Sequence, residues 1–476
     1  MTEPSKPGGE VPRRPDRAKM SHAARISIHD FPARPRLSLA VATLGFFVVA
    51  LDAQIVNIAL PAIRHELGGG LAGQQWVVTG YTLMFSALQL FSGTVSDRFG
   101  ARRAYGIGMV LFVLASVLCT IAPTLPVLVA GRVVQGVGAA VITPTSLALI
   151  REAVHDVVQR GRAIAYWALG GSVAAAAGPV VGGALTQLDW RLIFLVNLPV
   201  GGAACVALSR IDASPRRTSP FDPAGQIAAV AALGGLTYGI IEGAALGYSD
   251  PQVLGAFAVF ILSAAVLLIA QTRGRHPTIP PGLFAASPVR LSILTAFVTM
   301  AAFYGVVFLQ SLYFQQQRGA SALVTGLLFL PMSGLVALFN PFMARAMERF
   351  GKVLTAVAGQ LIMALGLLGL SLLPADAPTF AEALLMVPVG VGGSFTSPPL
   401  AALVMDHVPA GLAGTASGVL NTARQLGGTI GVAAIGAVLG SRFDFTSGLR
   451  AVAAMGILLL ALAAVSLRLR KTEWVI

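Results

Sequence analysis

Two charges stand inside apolar stretches, where charge is costly. Asp52 falls within the run 38–60 and Arg132 within 126–150, and a charge at the centre of a bilayer costs at least about 2.5–3.5 kcal/mol. At about 1.5 Å per residue, Asp52 lies roughly 13 Å and Arg132 roughly 9 Å from the same bilayer face. Their depths match, so both should face the interior and can pair. Burial disfavours a charged carboxylate and a nearby guanidinium favours it. A cycle that carried Asp52 toward and away from Arg132, or into and out of water, would swing its hold on a proton. One charge crossing about 100 mV supplies roughly 2.3 kcal/mol, a gradient of somewhat under 50-fold at about 1.4 kcal/mol per decade. The alternative is a static pair that merely orders two helices.

The elements that must position these residues follow from composition. Of 476 residues, 55% are hydrophobic and 11% charged, against about 25% charged in a soluble domain. Fourteen apolar stretches of helical length can be read, at approximately 38–60, 75–96, 104–122, 126–150, 162–186, 191–209, 223–243, 252–271, 289–312, 322–346, 353–373, 379–404, 413–439 and 447–469. Chains crossing a bilayer do so as helices of about 20 apolar residues or as closed barrels, and these are not the alternating ten-residue segments of a barrel. With the amino terminus cytoplasmic, 26 basic residues fall on the cytoplasmic side and five on the other. That bias predicts both termini inside, an even number of crossings and a multi-pass protein of the cell (plasma or inner) membrane. The net charge of +13 is dealt out between apolar runs instead of gathered on one soluble face, which argues against nucleic acid. The first 36 residues are basic and lack an apolar core, so they do not read as a secretory signal; Met20 could even be the true start, which would change nothing downstream.

An internal echo suggests duplication. Asp97-Arg98-Phe99-Gly100 recurs as Glu348-Arg349-Phe350-Gly351, 251 residues on, and Gly161-x-Ala163 as Gly414-x-Ala416 at an offset of 253. Chance recurrence of short loops is the alternative. An offset of eight spans implies two six-helix halves with an extra pair between them, a known transporter plan with the substrate site between the halves. The expected division is a basic segment 1–37, a first six-helix bundle 38–209, a linker and inserted pair 210–288, a second bundle 289–469 and a tail 470–476.

Several motifs then add up. The loop Gly93-Thr-Val-Ser-Asp97-Arg98-Phe99-Gly100-Ala-Arg102-Arg103 resembles the signature loop of the major facilitator superfamily, Ala101 departing mildly. Leu51-Asp52-Ala-Gln54-Ile55-Val56-Asn57-Ile58-Ala59-Leu60-Pro61 is similar to the first-helix motif of its fourteen-helix drug–proton antiporter branch, with Gln54 replacing the usual Thr. Gly131-Arg132-Val-Val-Gln135-Gly136-Val-Gly138, the run Gly178-Pro179-Val-Val-Gly182-Gly183 and Trp190-Arg191-x-Ile193-Phe194-x-x-Asn197 resemble further motifs of that branch, in order. The resemblance covers the first half in detail and the second mainly by helix count.

It implies an all-α membrane protein of the major facilitator fold, two six-helix bundles plus two extra helices. It also implies proton-coupled export of small amphipathic compounds by alternating access, with drug or antibiotic efflux the first guess. The Gly93–Arg103 loop would latch the two halves at the cytoplasmic face in the outward-open state; plain anchoring by Arg98, Arg102 and Arg103 fits the same residues. Gly178, Gly182 and Gly183 let backbones touch and Pro179 removes a donor, which would seal against proton leak or simply pack. Asn57, Trp76, Tyr81, Gln135 and Arg424 are candidates to line a substrate cavity. Arg424 has no acid at similar depth in the second half; it would meet an anionic substrate group or else bond helix carbonyls. Glu242 reads as structural at the outer end of 223–243, and Asp376 and Glu382 as loop or helix-start residues on that side. Spans 9 to 11 carry no second acid, which argues against dications.

The rival readings are a proton symporter on the same fold and, further off, a membrane receptor or enzyme. Six histidines without metal partners and Cys119 and Cys205 in spans argue for no metal and no disulfide. With no Gly-x-x-x-x-Gly-Lys-Ser/Thr signature, direct ATP drive is not expected. No cofactor is expected, the proton gradient being the energy source. The partners expected are the lipid bilayer, a small-molecule substrate and protons, with the chain a monomer.

Overall fold

The computed structural model describes residues 33–89, 91–216, 222–273, 281–374, 376–409, 412–440 and 444–470. The basic segment before residue 33 and the tail after 470 lie outside the described residues.

Every apolar stretch becomes helix, and no strand occurs among the described residues. The helices are α1 (Ala33–Leu67), α2 (Gly70–Gln89), α3 (Ser92–Phe99), α4 (Ala101–Thr120), α5 (Leu125–Ala153), α6 (Val157–Leu188), α7 (Leu192–Leu195), α8 (Asn197–Leu208), α9 (Pro223–Leu246) and α10 (Pro251–Arg273). They continue with α11 (Ser287–Leu312), α12 (Ala322–Phe350), α13 (Lys352–Leu372), α14 (Thr379–Asp406), α15 (Ala413–Leu439) and α16 (Phe445–Arg470). Fourteen apolar stretches give sixteen helices because 75–96 is broken at Phe91 and 191–209 at Val196. Ten of the described helices are long and apolar enough to cross a membrane. α11 ends in a π-helical turn, Tyr313–Gln317.

Local chemistry sets the ends. Asp156, Asp222 and Ser321 accept from the backbone N–H of Gln159, Gly225 and Val324, capping α6, α9 and α12; such caps satisfy N–H groups that a helix start leaves unpaired. The sequence echo has a backbone counterpart. Gly100 and Gly351 both take φ +83, a left-handed conformation that favours glycine, and each turns the chain from an exposed helix end into the next span.

Packing repeats in the same way. The pairs α1·α5, α1·α6, α1·α8, α2·α5, α4·α5 and α4·α8 are matched by α11·α14, α11·α15, α11·α16, α12·α14, α13·α14 and α13·α16. The two groups meet crosswise, α6 on α12 and α2 on α15. α9 packs on both α2 and α15, beside that second seam, while α10 leans on α9.

Among the described residues, the contacts between the halves gather toward one end. Gln75 donates to the Ala433 carbonyl (2.8 Å), Ser311 to the Asn57 carbonyl (2.6 Å), Gln315 to the Ile58 carbonyl (3.1 Å) and Thr429 to Thr82 (2.9 Å). One apolar core runs through both groups here, from Leu51–Ile63 of α1 to Val306–Leu312 of α11. Toward the end that carries Asp97 and Glu348 the cores separate, one around Tyr105 and Phe112, another around Val289 and Leu400. The bundle is therefore closed at the end away from Asp97 and parted at the Asp97 end.

Candidate functional site

Asp52 on α1 and Arg132 on α5 form an ion pair with both side chains at 0% exposure. A buried pair survives only when its remaining donors and acceptors are also met, and here neighbouring helices meet most of them. Arg132 Nη1 also donates to Gln135 Oε1 (2.9 Å) and Nε to the Val77 carbonyl (3.0 Å). The guanidinium carbon lies 4.4 Å from the centre of the Tyr81 ring, a cation–π contact, and the Tyr81 hydroxyl donates to the Val49 carbonyl. Around the carboxylate, Asn197 Nδ2 donates to Asp52 Oδ1 at 2.8 Å and Gln135 Nε2 at 3.2 Å. Ser116 Oγ accepts from both amides. Two buried atoms remain unmatched, Arg132 Nη2 and Asn197 Oδ1.

Of the residues expected from sequence, Asp52, Arg132, Tyr81 and Gln135 thus come together in one network. Asn197 and Ser116 belong to it as well and were not singled out for it. The one signal was Asn197 within the Trp190–Asn197 motif, a buried amide in an apolar run; nothing marked Ser116.

Two cavity candidates sit elsewhere. Trp76 Nε1 donates to Glu242 Oε1 (2.8 Å) and its ring lies against Tyr238, so Trp76 holds α9 against α2, while it also lines a cavity with Gly73, Leu125, Pro126 and Val129. Asn57 donates to carbonyls of its own helix, Ala53 and Gln54, and is buried in the closed seam beside Ser311. Glu382 pairs with Arg318, whose Nη2 also donates to the Ala377 carbonyl (2.5 Å). This carboxylate is more deeply buried than a helix-start position suggested, because the loop after α11 folds over it.

The Gly178–Gly183 run divides its work. A Cβ at Gly178 would lie 2.8 Å from Gln54 Cβ and one at Gly182 2.8 Å from the Ile55 carbonyl, so these positions press α6 onto α1 next to Asp52. Gly183 faces the other half, where a Cβ would stand 2.5 Å from the Ala322 carbonyl. Pro179 borders the same contact, below Gly326.

In the Gly93–Arg103 loop, Arg102 binds its own half, donating to the Ser209 and Leu208 carbonyls (3.0 and 3.3 Å) while its backbone N–H meets Ser214 Oγ. Gly93, Asp97, Arg98 and Arg103 are exposed. Gly100 lies against Ser214. Among the described residues, no hydrogen bond or ion pair joins this loop to the other half. Cys119 and Cys205 are free thiols.

Helices of membrane length, packed as two like groups of which the first holds a sealed charge pair, define the class as a multi-pass membrane transporter. The family described as the Major Facilitator Superfamily matches residues 42–432. The chain belongs to that superfamily, a family of transporters and not of enzymes. It is 36% identical over 420 residues to the multidrug resistance protein Stp of Mycobacterium tuberculosis (strain CDC 1551 / Oshkosh), covering 86% of this chain and 77% of that one. It is 34% identical over 410 residues to the methylenomycin A resistance protein of Bacillus subtilis (strain 168), covering 84% and 87%. Among solved structures it resembles the peptide transporter POT in complex with sulfate, with TM-score 0.67 and 16% identity over 94% of this chain and 99% of that one; that likeness speaks to the fold alone.

Proposed function

We propose that this chain is a proton-coupled antiporter that exports small amphipathic compounds, drugs or antibiotics among them, across the cell membrane by alternating access. Fourteen crossings are proposed, the ten apolar helices together with α2, α7–α8, α12 and α15, with both termini cytoplasmic and the chain working as a monomer. Residues 38–209 and 289–469 are the two moving halves and 210–288 the linker and inserted pair. On this topology the parted end faces the cytoplasm and the conformation is inward-open, which accounts for a latch loop without a partner from the other half.

The observation that carries the reading is Asp52, a carboxylate with no exposure in the middle of α1, bonded at once by Arg132, Gln135 and Asn197. Both amides can turn over, each offering an N–H to the carboxylate or a carbonyl to the protonated acid. The unmatched Asn197 Oδ1 is the acceptor such a turn would use. Asp52 can therefore be accommodated in either protonation state, and a shift of α1 against α5 would release it from Arg132 to take up a proton. Relatives named for multidrug and methylenomycin A resistance support export as the direction and drug-like molecules as cargo. No cofactor enters this cycle; the proton gradient drives it.

The test is Asp52→Asn in proteoliposomes with an imposed pH gradient. Uphill drug transport should vanish while membrane insertion is unchanged. Full gradient-driven transport by that variant would remove Asp52 from the mechanism.

A further inference from the structure

Asn421, Arg424, Gln425 and Gly428 follow the spacing i, i+3, i+4, i+7 and so share one face of α15. The three polar side chains are partly exposed, although they lie near the middle of a span. All three stand one to two turns from Thr429, whose bond to Thr82 belongs to the closed seam, on the side where the halves part. Gly428 leaves room for the Tyr304 ring of α11, which a Cβ would meet at 2.9 Å. The Tyr304 ring therefore packs about one turn from Arg424 along the same face of α15. Among the described residues, the Tyr304 hydroxyl and the side chains of Asn421, Arg424 and Gln425 have no hydrogen-bond or ion-pair partner.

The buried carboxylates among the described residues, Asp52 and Glu382, are already matched, by Arg132 and Arg318. A guanidinium in a membrane interior is normally paired, and it offers a planar fork of donors that fits a carboxylate. The amides and the phenol beside it add donors that suit the same group.

We infer that Arg424, with Asn421, Gln425 and Tyr304, forms a binding site for the carboxylate of an amphipathic organic anion. This rests on the exporter reading and adds to it the charge of the cargo. The site lies on the second half and the proton pair on the first.

The experiment measures binding in detergent, without a gradient, using two probe pairs of the same shape: dansylglycine with dansylglycinamide, and 2-naphthoate with 2-naphthamide. The wild type should bind each acid at least about tenfold more tightly than its amide, as a charge-assisted bond implies. Arg424→Ala should abolish the preference, Arg424→Lys should restore part of it, and Tyr304→Phe should weaken it with folding intact by size-exclusion profile. Equal affinity of the wild type for acid and amide overturns the inference, as does a preference that survives Arg424→Ala. If the exporter reading alone fails, the binding preference persists while proteoliposomes show no gradient-driven movement of either acid.

Discussion

Removing the Asp52 charge separates a structural pair from a working one. In Asp52→Asn, Arg132 stays buried with Gln135 Oε1, the Val77 carbonyl and the Tyr81 ring as its remaining company. Breaking a buried pair from one side costs about 3–5 kcal/mol, and because an asparagine keeps one carbonyl for Nη1, the lower end, about 3 kcal/mol, is expected. Replacing both charges in Asp52→Asn/Arg132→Met removes the stranded cation as well, and uncharged substitutes for buried pairs are often neutral or stabilising. The double variant should return to within about 1 kcal/mol of the wild type, giving a coupling of roughly 2 kcal/mol or more. Reversible unfolding in mixed micelles reads this cycle. Transport is read in the same preparations by a pH-sensitive dye sealed in proteoliposomes. Recovered stability should come without recovered coupling: the accumulation ratio, somewhat under 50-fold for one charge at about 100 mV, should fall to one. A double variant that still moves protons on drug addition would refute the argument, since nothing titratable would then remain at the pair.

Other consequences are open to measurement. Gly183→Val forces a side chain against the Ala322 carbonyl, so it should disfavour the closed seam by about 1–3 kcal/mol; faster labelling of a Ser311→Cys reporter by an impermeant maleimide would register the shift. Gly182→Val, pressing instead on α1 at Ile55, should lower thermal stability and leave that labelling rate near its background value. Asn197→Ala removes a bond to a charged group and should cost about 1.5–3 kcal/mol, with slower drug-induced proton flux in the dye assay. Trp76→Phe breaks the bond to Glu242 and should cost about 1 kcal/mol with drug KM unchanged; a raised KM would return Trp76 to the cavity.

Much of this protein was legible before folding, for a reason rooted in solvation. Charge in hydrocarbon is so costly that Asp52 and Arg132 declare themselves in any reading of the apolar runs, and their depths can be counted along the helices. The echo of Asp97-Arg98-Phe99-Gly100 in Glu348-Arg349-Phe350-Gly351 likewise anticipates duplication, since both need the same left-handed glycine. Neutral polar residues carry no such mark. A serine or asparagine in a span can bond its own helix carbonyls, as Asn57 does, so sequence could not separate Asn57, turned into the seam, from Asn197, turned onto Asp52. An aromatic ring such as Trp76 suits a cavity or a neighbouring helix equally, and only the position of α9 supplied its partner, Glu242. Arg318 and Glu382 lie 64 residues apart, and only the fold of the loop after α11 brings them together. The amino-acid order therefore determined the apolar helices, the repeated loop and the charged pair, because solvation energy is a property of each residue in its run. Tertiary structure decided which polar side chains meet and which end of the bundle is closed, because those depend on helix rotation and on contacts between halves that no single run contains.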